Sequence, residues 1–344
     1  MHFIIEAIIC FAITLALVPF VAKLAIKIGA VDYPEKRKIH KTVVPRLGGL
    51  AIAIGFSLMV FLTQDVSNGQ VRGLLLGGLF LVIVGIADDI LQIPPRLKLV
   101  GQIIAALILV FSGVKIEFLS NPFWGGVIHP GVFSVPLTVI WIVGIINAIN
   151  LIDGLDGLAA GTTIIIAITM AVVGKIQGQF IMIEIAVLLA AASAGFLKYN
   201  YNPASIFMGD TGSMFLGFNL AALSIMGLSK SFAALSVFVP ILILGVPIFD
   251  TFFAILRRMI NTRPIFMADK EHLHHCLLEK GLSQRKAVLV IYALNAVMGL
   301  VGILVVSLNR IQALIVLITV LALILIGARK IGIVRKTIEG GCDD

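Results

Sequence analysis

Residues 133–157 read FSVPLTVIWIVGIINAINLIDGLDG. Residues 133–152 are apolar and long enough to cross a hydrocarbon core of about 30 Å as a helix. The run closes on four polar residues spaced three apart: Asn147, Asn150, Asp153 and Asp156. Neighbours three apart share a helix face, so the spacing predicts a polar stripe at one end of a membrane span. A loop with helix caps is the other reading, because Asn and Asp are common caps. Gly154 and Gly157 permit close approach of a backbone or a ligand.

The same apolar texture fills the chain. Of 344 residues, 60% are hydrophobic and 13% are charged, against about 25% charged in soluble domains. Mean hydropathy is +1.11. That composition excludes a water-soluble globule, a disordered chain, collagen and a disulfide scaffold. Long Ile, Leu, Val and Ala runs argue for helices, not the short alternating strands of a barrel. The expected fold is an all-α polytopic membrane protein with about eleven transmembrane helices. The expected spans are 3–28, 47–64, 73–88, 98–117, 133–152, 157–174, 180–198, 213–229, 232–256, 287–306 and 311–328. The third is short. The ninth holds Pro240 and Pro247, which predict a kink or a break. Residues 1–330 read as one integral membrane domain and 331–344 as a short cytoplasmic tail. The first run lacks a basic leader and is too long for a signal peptide, so it reads as an uncleaved helix. Cys10, Cys276 and Cys342 carry no disulfide or CxxC spacing.

Charge sets the orientation. With the N-terminus outside and the C-terminus cytoplasmic, twenty-one of the 26 Lys and Arg fall on the inner side, as the positive-inside rule requires. The net charge of +8 is then topology with some attraction to anionic lipid, and no nucleic-acid partner is needed. Acids at the edge of a span are costly unless they serve a site. Asp88, Asp89, Asp153, Asp156, Asp210 and Asp250 all fall at or near inner helix ends, which predicts a reaction centre on the cytoplasmic face.

The constellations differ in what they offer. Asp88 and Asp89 are adjacent, so each needs a cation or a proton. Their hard oxygens suit Mg²⁺, while a solvated helix end is the plain alternative. Asp210 sits in Phe207-Met208-Gly209-Asp210-Thr211-Gly212-Ser213. It is an N-cap, or part of a turn that binds phosphate or metal. Phe207 is a candidate for stacking on a flat base, or simply packing. His272, His274 and His275 cluster beside basic loop residues. Zn²⁺ ligation with Cys276 does not match usual spacings. Hydrogen bonding to phosphate fits better, and a solvated cluster stays open. Arg46 lies in Pro45-Arg46-Leu47-Gly48-Gly49, and Lys98 follows the Asp pair. Both are cations that can meet phosphate. Acids for Mg²⁺ beside cations for phosphate fit phosphoryl transfer, where positioning and electrostatics do most of the work.

These stretches together resemble the polyprenyl-phosphate N-acetylhexosamine-1-phosphate transferase family. The likeness runs from Asp32 to about Ala287. It is nearest the WecA/TagO-like branch, with phospho-N-acetylmuramoyl-pentapeptide transferase more distant. The resemblance implies transfer of GlcNAc-1-phosphate from UDP-GlcNAc to undecaprenyl phosphate, with Mg²⁺, or Mn²⁺ as a substitute. It implies catalytic and metal-binding roles for Asp88, Asp89 and Asp210, with Asp210 a principal ligand. It places Asn200 and Phe207 near uridine, and Asn150, Asp153 and Asp156 on the nucleotide side. Arg46 and Lys98 fall near the phosphates, Asp250 in a matching stretch, and the three histidines near the diphosphate or sugar. A homodimer is implied by the family alone. Cys276 and Lys270 depart from Arg found in some members, and Lys does not replace Arg for bidentate phosphate binding. Another UDP-N-acetylhexosamine or UDP-MurNAc-pentapeptide is the alternative donor. Direct attack by the lipid phosphate is favoured over a phospho-enzyme. A secondary transporter is the rival of another class, but the charges gather at the inner face and no matched pair of broken helices appears.

Overall fold

The computed structural model describes residues 2–34, 43–120, 126–227, 238–260 and 272–331, apart from the side chains of 120, 260 and 328–331. The basic stretch 36–41, Arg263, residues 269–271 and the tail beyond 331 lie outside them. The helices are α1 His2–Ile28, α2 Gly49–Thr63, α3 Gly69–Leu91, α4 Pro95–Phe111, α5 Ser134–Ile152, α6 Leu158–Gln177 and α7 Phe180–Asn200. They continue with α8 Gly209–Met226, α9 Phe238–Ile243, α10 Gly245–Ile260, α11 Leu273–Glu279, α12 Gln284–Ser307 and α13 Arg310–Ile331. Seven of these are long and apolar enough to cross a membrane, and α2 is a shorter apolar helix. The chain is an all-α, multi-pass membrane protein.

Every expected span carries helix, with three differences of extent. The third is not short, since α3 runs 23 residues. Its polar ends are helical because Asn68 caps the start, accepting from the Gln70 amide, and because Asp88 and Asp89 belong to the last turns. The fourth stops at Phe111, six residues early. Gly113, at φ 97°, ends it, and the Val114 amide donates back to the Leu109 carbonyl, as helix C-termini commonly close. The eighth begins at Gly209 rather than 213, so Asp210 lies within its first turn. The ninth is broken, as Pro240 and Pro247 predict: α9 ends at Ile243 and α10 starts at Gly245.

Helix α8 is the centre of the bundle. Residues 209–225 are all buried, and the helix packs against α2, α3 and α5. Helix α13 is the opposite case. Only 6% of its apolar window is buried, against 67% for α6. Apolar burial is a weak drive between helices in lipid, where close packing and internal hydrogen bonds hold a bundle. Gly85 shows this on α3. A Cβ there would collide with the Thr211 backbone, so glycine lets the end of α3 touch the start of α8. Two short antiparallel pairs, Val31–Asp32 with Val44–Pro45 and Leu119–Ser120 with Val127–Ile128, close loops.

Candidate active site

Asp88, Asp89 and Asp210 converge although two helices supply them. Each offers a ligand oxygen within 4.8 Å of the others, and all three are buried. Among the described residues this is the group able to hold a metal ion; the histidines do not form one with Cys276. Two cations face the carboxylates. Lys98, in the first turn of α4, places Nζ 2.7 Å from Asp88 Oδ2 and 2.6 Å from Asp210 Oδ2. Arg46 donates to Asp210 Oδ1 at 2.9 Å and lies 3.3 Å from Asp89 Oδ1. Arg46 is brought there by backbone pairing that joins two sequence motifs. The Phe207 amide donates to the Pro45 carbonyl, and the Gly48 amide to the Phe207 carbonyl. Residues 45–49 therefore lie along residues 207–208.

The two adjacent aspartates are not equivalent. Asp89 Oδ1 accepts from the Asp210 amide at 2.8 Å, and Oδ2 accepts from the Thr211 amide at 3.0 Å and hydroxyl at 2.7 Å. Asp88 Oδ1 is buried without a hydrogen-bond partner. A buried acceptor left without a donor is costly, and a divalent cation beside it would remove that cost. The residues present therefore fit a metal at Asp88 and Asp210.

The stripe on α5 splits. Asn147 turns to α4 and donates to Gln102 Oε1 at 2.8 Å. Asn150 donates to Ser213 Oγ at 2.8 Å, which ties α5 to α8. Asp153 is the C-cap residue of α5, and Asp156 lies in the turn beyond, so only half of the stripe is helical. Burial first, then the nearby Asp210 carboxylate, push Asp153 up to about 7 against the pull of Arg46. Asp156 accepts from Asn202 Nδ2 at 2.8 Å and from the Ala204 amide at 3.1 Å. Asn200 accepts from the Gly157 amide and donates to the Ile206 carbonyl. Asp156 and Asn200 thus join the 153–157 turn to the 201–206 loop. Phe207 is held by its backbone beside Arg46.

The second cluster lies on α10 and α11. Asp250 Oδ2 is 3.0 Å from His272 Nδ1, and Oδ1 accepts from the Leu273 amide at 2.8 Å. Asp250 is buried, with one oxygen engaged by each partner. His272 and His274 rings stack at 5.8 Å, and His275 sits 4.2 Å from His274. His274 packs so close on Gly154 that any Cβ there would collide with its ring. The 153–157 turn therefore touches the histidine cluster while Asp153 feels the carboxylate cluster. Burial, then His275, hold His274 down at about 4.

Sequence reasoning missed the residues that act across long separations. Thr211 is one residue of the stretch around Asp210, with no role of its own visible in the sequence, yet it anchors Asp89. Gln102 pairs with Asn147 from a different span. Tyr292 on α12 donates its hydroxyl to the Gly157 carbonyl. Arg285 reaches the Asn202 carbonyl at 2.8 Å. Tyr292 lies inside an apolar run, where no local signal marks its contact with the 153–157 turn.

A helical membrane bundle with cations facing a buried carboxylate cluster at its helix ends suits the class of lipid-linked sugar-phosphate transferases, whose substrates bring phosphate charge to a membrane surface. The chain belongs to that class, the polyprenyl-phosphate N-acetylhexosamine-1-phosphate transferases, and the glycosyl transferase family 4 model matches residues 71–228. It is 41% identical over 333 residues to a probable undecaprenyl-phosphate N-acetylglucosaminyl 1-phosphate transferase of Bacillus subtilis, covering 97% of this chain and 93% of that one. It is 37% identical to decaprenyl-phosphate N-acetylglucosaminephosphotransferase of Mycolicibacterium smegmatis, over 79% of this chain and 74% of that one. A phospho-N-acetylmuramoyl-pentapeptide-transferase of Streptococcus mutans is 34% identical, over 64% of this chain and 71% of that one.

Proposed function

We propose that this chain transfers GlcNAc-1-phosphate from UDP-GlcNAc to undecaprenyl phosphate, giving undecaprenyl-diphospho-GlcNAc and UMP. The observation that carries the reading is the buried carboxylate trio faced by Arg46 and Lys98. The relatives' names supply the transferred group and the polyprenyl-phosphate acceptor. Eleven spans, an outer N-terminus and an inner C-terminus put this end of the bundle at the cytoplasm, where a soluble sugar nucleotide is available. Residues 1–330 are the catalytic membrane domain, 331–344 the tail, and the working form is a homodimer in the bacterial plasma membrane.

Mg²⁺, or Mn²⁺ in its place, would be held by Asp88 and Asp210, and when bound it supplies positive charge to the donor phosphates. The protein's part is to neutralise and align. An oxygen of the lipid phosphate attacks the sugar-bearing phosphorus. The bond from that phosphorus to the bridging oxygen breaks, and UMP leaves with the electron pair. Lys98 and Arg46 offset the charge of three phosphate groups brought together. Asn150, Asp153, Asp156, Asn200 and Phe207 border the nucleotide side, and Asp250 with His272, His274 and His275 borders the sugar diphosphate. No covalent intermediate is needed, because the acceptor is already ionised.

The test is UMP release by purified protein supplied with UDP-GlcNAc, with and without undecaprenyl phosphate and Mg²⁺. Release that requires both, with GlcNAc-phosphate entering the lipid fraction, is expected. Release only with UDP-GalNAc or UDP-MurNAc-pentapeptide would move the donor assignment. No release with any of them from folded protein would end it.

A further inference from the structure

The two neighbouring aspartates on α3 divide their labour, and this division rests on the proposed metal-dependent transfer. A carboxylate offers about four acceptor positions. On Asp89 three are filled by hydrogen bonds from the protein, and an ion pair with Arg46 lies against the same carboxylate. Oδ1 takes the Asp210 amide and Arg46 Nε, and Oδ2 takes the Thr211 amide and hydroxyl. Its side chain is wholly buried. Helix α8 has no capping side chain of its own, since Met208 precedes Gly209. First-turn amides of a helix need an outside acceptor. Gly209, at φ 74°, brings the turn close enough that a Cβ there would lie 2.5 Å from Asp89 Oδ2. Asp88 is also buried but differs in its partners: Oδ2 meets the Lys98 ammonium, which it shares with Asp210, and Oδ1 has no donor.

We infer that Asp89 is a positioning residue, an N-cap supplied to α8 from α3, which sets the Asp210 carboxylate against Asp88 and does not itself bind the metal. Its carboxylate reaches the Asp210 amide, so a shift in the cap moves the Asp210 backbone directly. Asn at position 89 keeps one acceptor oxygen but turns an amide donor toward an N–H. The turn must then rotate or lose a bond.

The experiment measures Mn²⁺ binding by electron paramagnetic resonance on the full-length, detergent-purified chain, beside kcat and KM per folded molecule. Asp88→Asn and Asp210→Asn are expected to weaken Mn²⁺ binding more than tenfold. Asp89→Asn displaces a ligand without removing one, so Mn²⁺ binding is expected to weaken severalfold at most, well short of the loss in Asp88→Asn, while kcat falls at least tenfold. Asp89→Glu, which keeps both oxygens, is expected to recover part of kcat. Loss of Mn²⁺ binding in Asp89→Asn equal to that in Asp88→Asn would overturn the inference. If Asp89→Asn does not fold, Thr211→Val removes only the hydroxyl contact. It is then expected to lower kcat severalfold with at most a modest loss of Mn²⁺ affinity, and a loss equal to that in Asp88→Asn overturns the inference as well. Unchanged Mn²⁺ binding in Asp210→Asn would instead remove the metal-site reading itself, a separate outcome.

Discussion

The two acid-bearing regions of this molecule are built on opposite plans. In the first, Asp88 and Asp210 face Lys98 and Arg46, two cations on other elements that can also reach phosphate. In the second, Asp250 is closed off by its own neighbours, one oxygen on His272 and the other on the Leu273 amide. In the proposed function, the first region's charges exchange their partners for substrate and metal. The second has fixed its charge in advance and presents imidazole rings instead. An acid that can exchange partners suits charge neutralisation during transfer. An acid already engaged suits the orientation of another group. Identity as an aspartate at a membrane edge says nothing about which plan applies.

The comparison is broken most sharply at Asp210. Asp210→Ala removes a partner of both cations and one wall of the candidate metal site. Activity is expected to fall on the order of 10²–10³-fold, the usual scale for losing a preorganised electrostatic group. UMP release per folded protein checks this, with folding followed by size exclusion. Near-normal Mg²⁺-dependent turnover would mean that the carboxylate cluster is not the reaction centre.

Asp250→Asn tests the other plan. The amide can still accept from Leu273, but it cannot match the His272 contact with a charge. The expected result is a loss of about tenfold in kcat/KM and a stability loss of about 1–3 kcal/mol, the range for an unsatisfied buried partner. Mn²⁺ affinity should not move. A thermal-shift series beside the Mn²⁺ titration separates the effects. Loss of metal binding here would merge two regions that the geometry keeps apart.

Gly85→Ala probes how the first region is assembled. The added methyl collides with the Thr211 backbone, so α3 and α8 must part. Overpacking of this kind costs about 1–3 kcal/mol. Because Asp89 caps α8 across this contact, turnover should fall with stability. A variant with wild-type melting and wild-type turnover would show that the helices have slack.

Much of this was legible in advance, and what was hidden has a common cause. Hydropathy located the helical segments, and the prolines located the break between α9 and α10. The motifs around Asp88, Asp153, Asp210 and His272 were visible as polar residues in costly places. Their pairings were not. Arg46 reaches Asp210 only because residues 45–48 pair with residue 207, and Thr211 reaches Asp89 only because Gly85 admits the contact. Such contacts depend on packing between distant segments, and no local spacing encodes them. Asp156 and Asn200 looked ready for ligand yet also hold loops together. The difference lies in whether a donor from elsewhere in the chain arrives first.

The smallest expected effect is a pH dependence in the second region. His274 is buried against Gly154, with His272, His275 and Asp250 as its charged or titratable neighbours. Its folded value of about 4 lies below the ordinary 6.5. The folded state therefore binds this proton less readily than the unfolded one. The linked stability is fully present above pH 6.5 and is lost as pH falls toward 4. A shift of this size is worth a few kcal/mol at most, at about 1.4 kcal/mol per unit. His274→Gln should flatten that acid limb of the melting curve while leaving the midpoint at pH 8 little changed. In the carboxylate region Asp153 slopes the other way. Its value, raised to about 7, favours the folded state at low pH and loses that contribution as pH rises through 7. If His274→Gln leaves the acid limb intact, the sensitivity belongs to other carboxylates, and the histidine ring is not the preset neutral group that its burial describes.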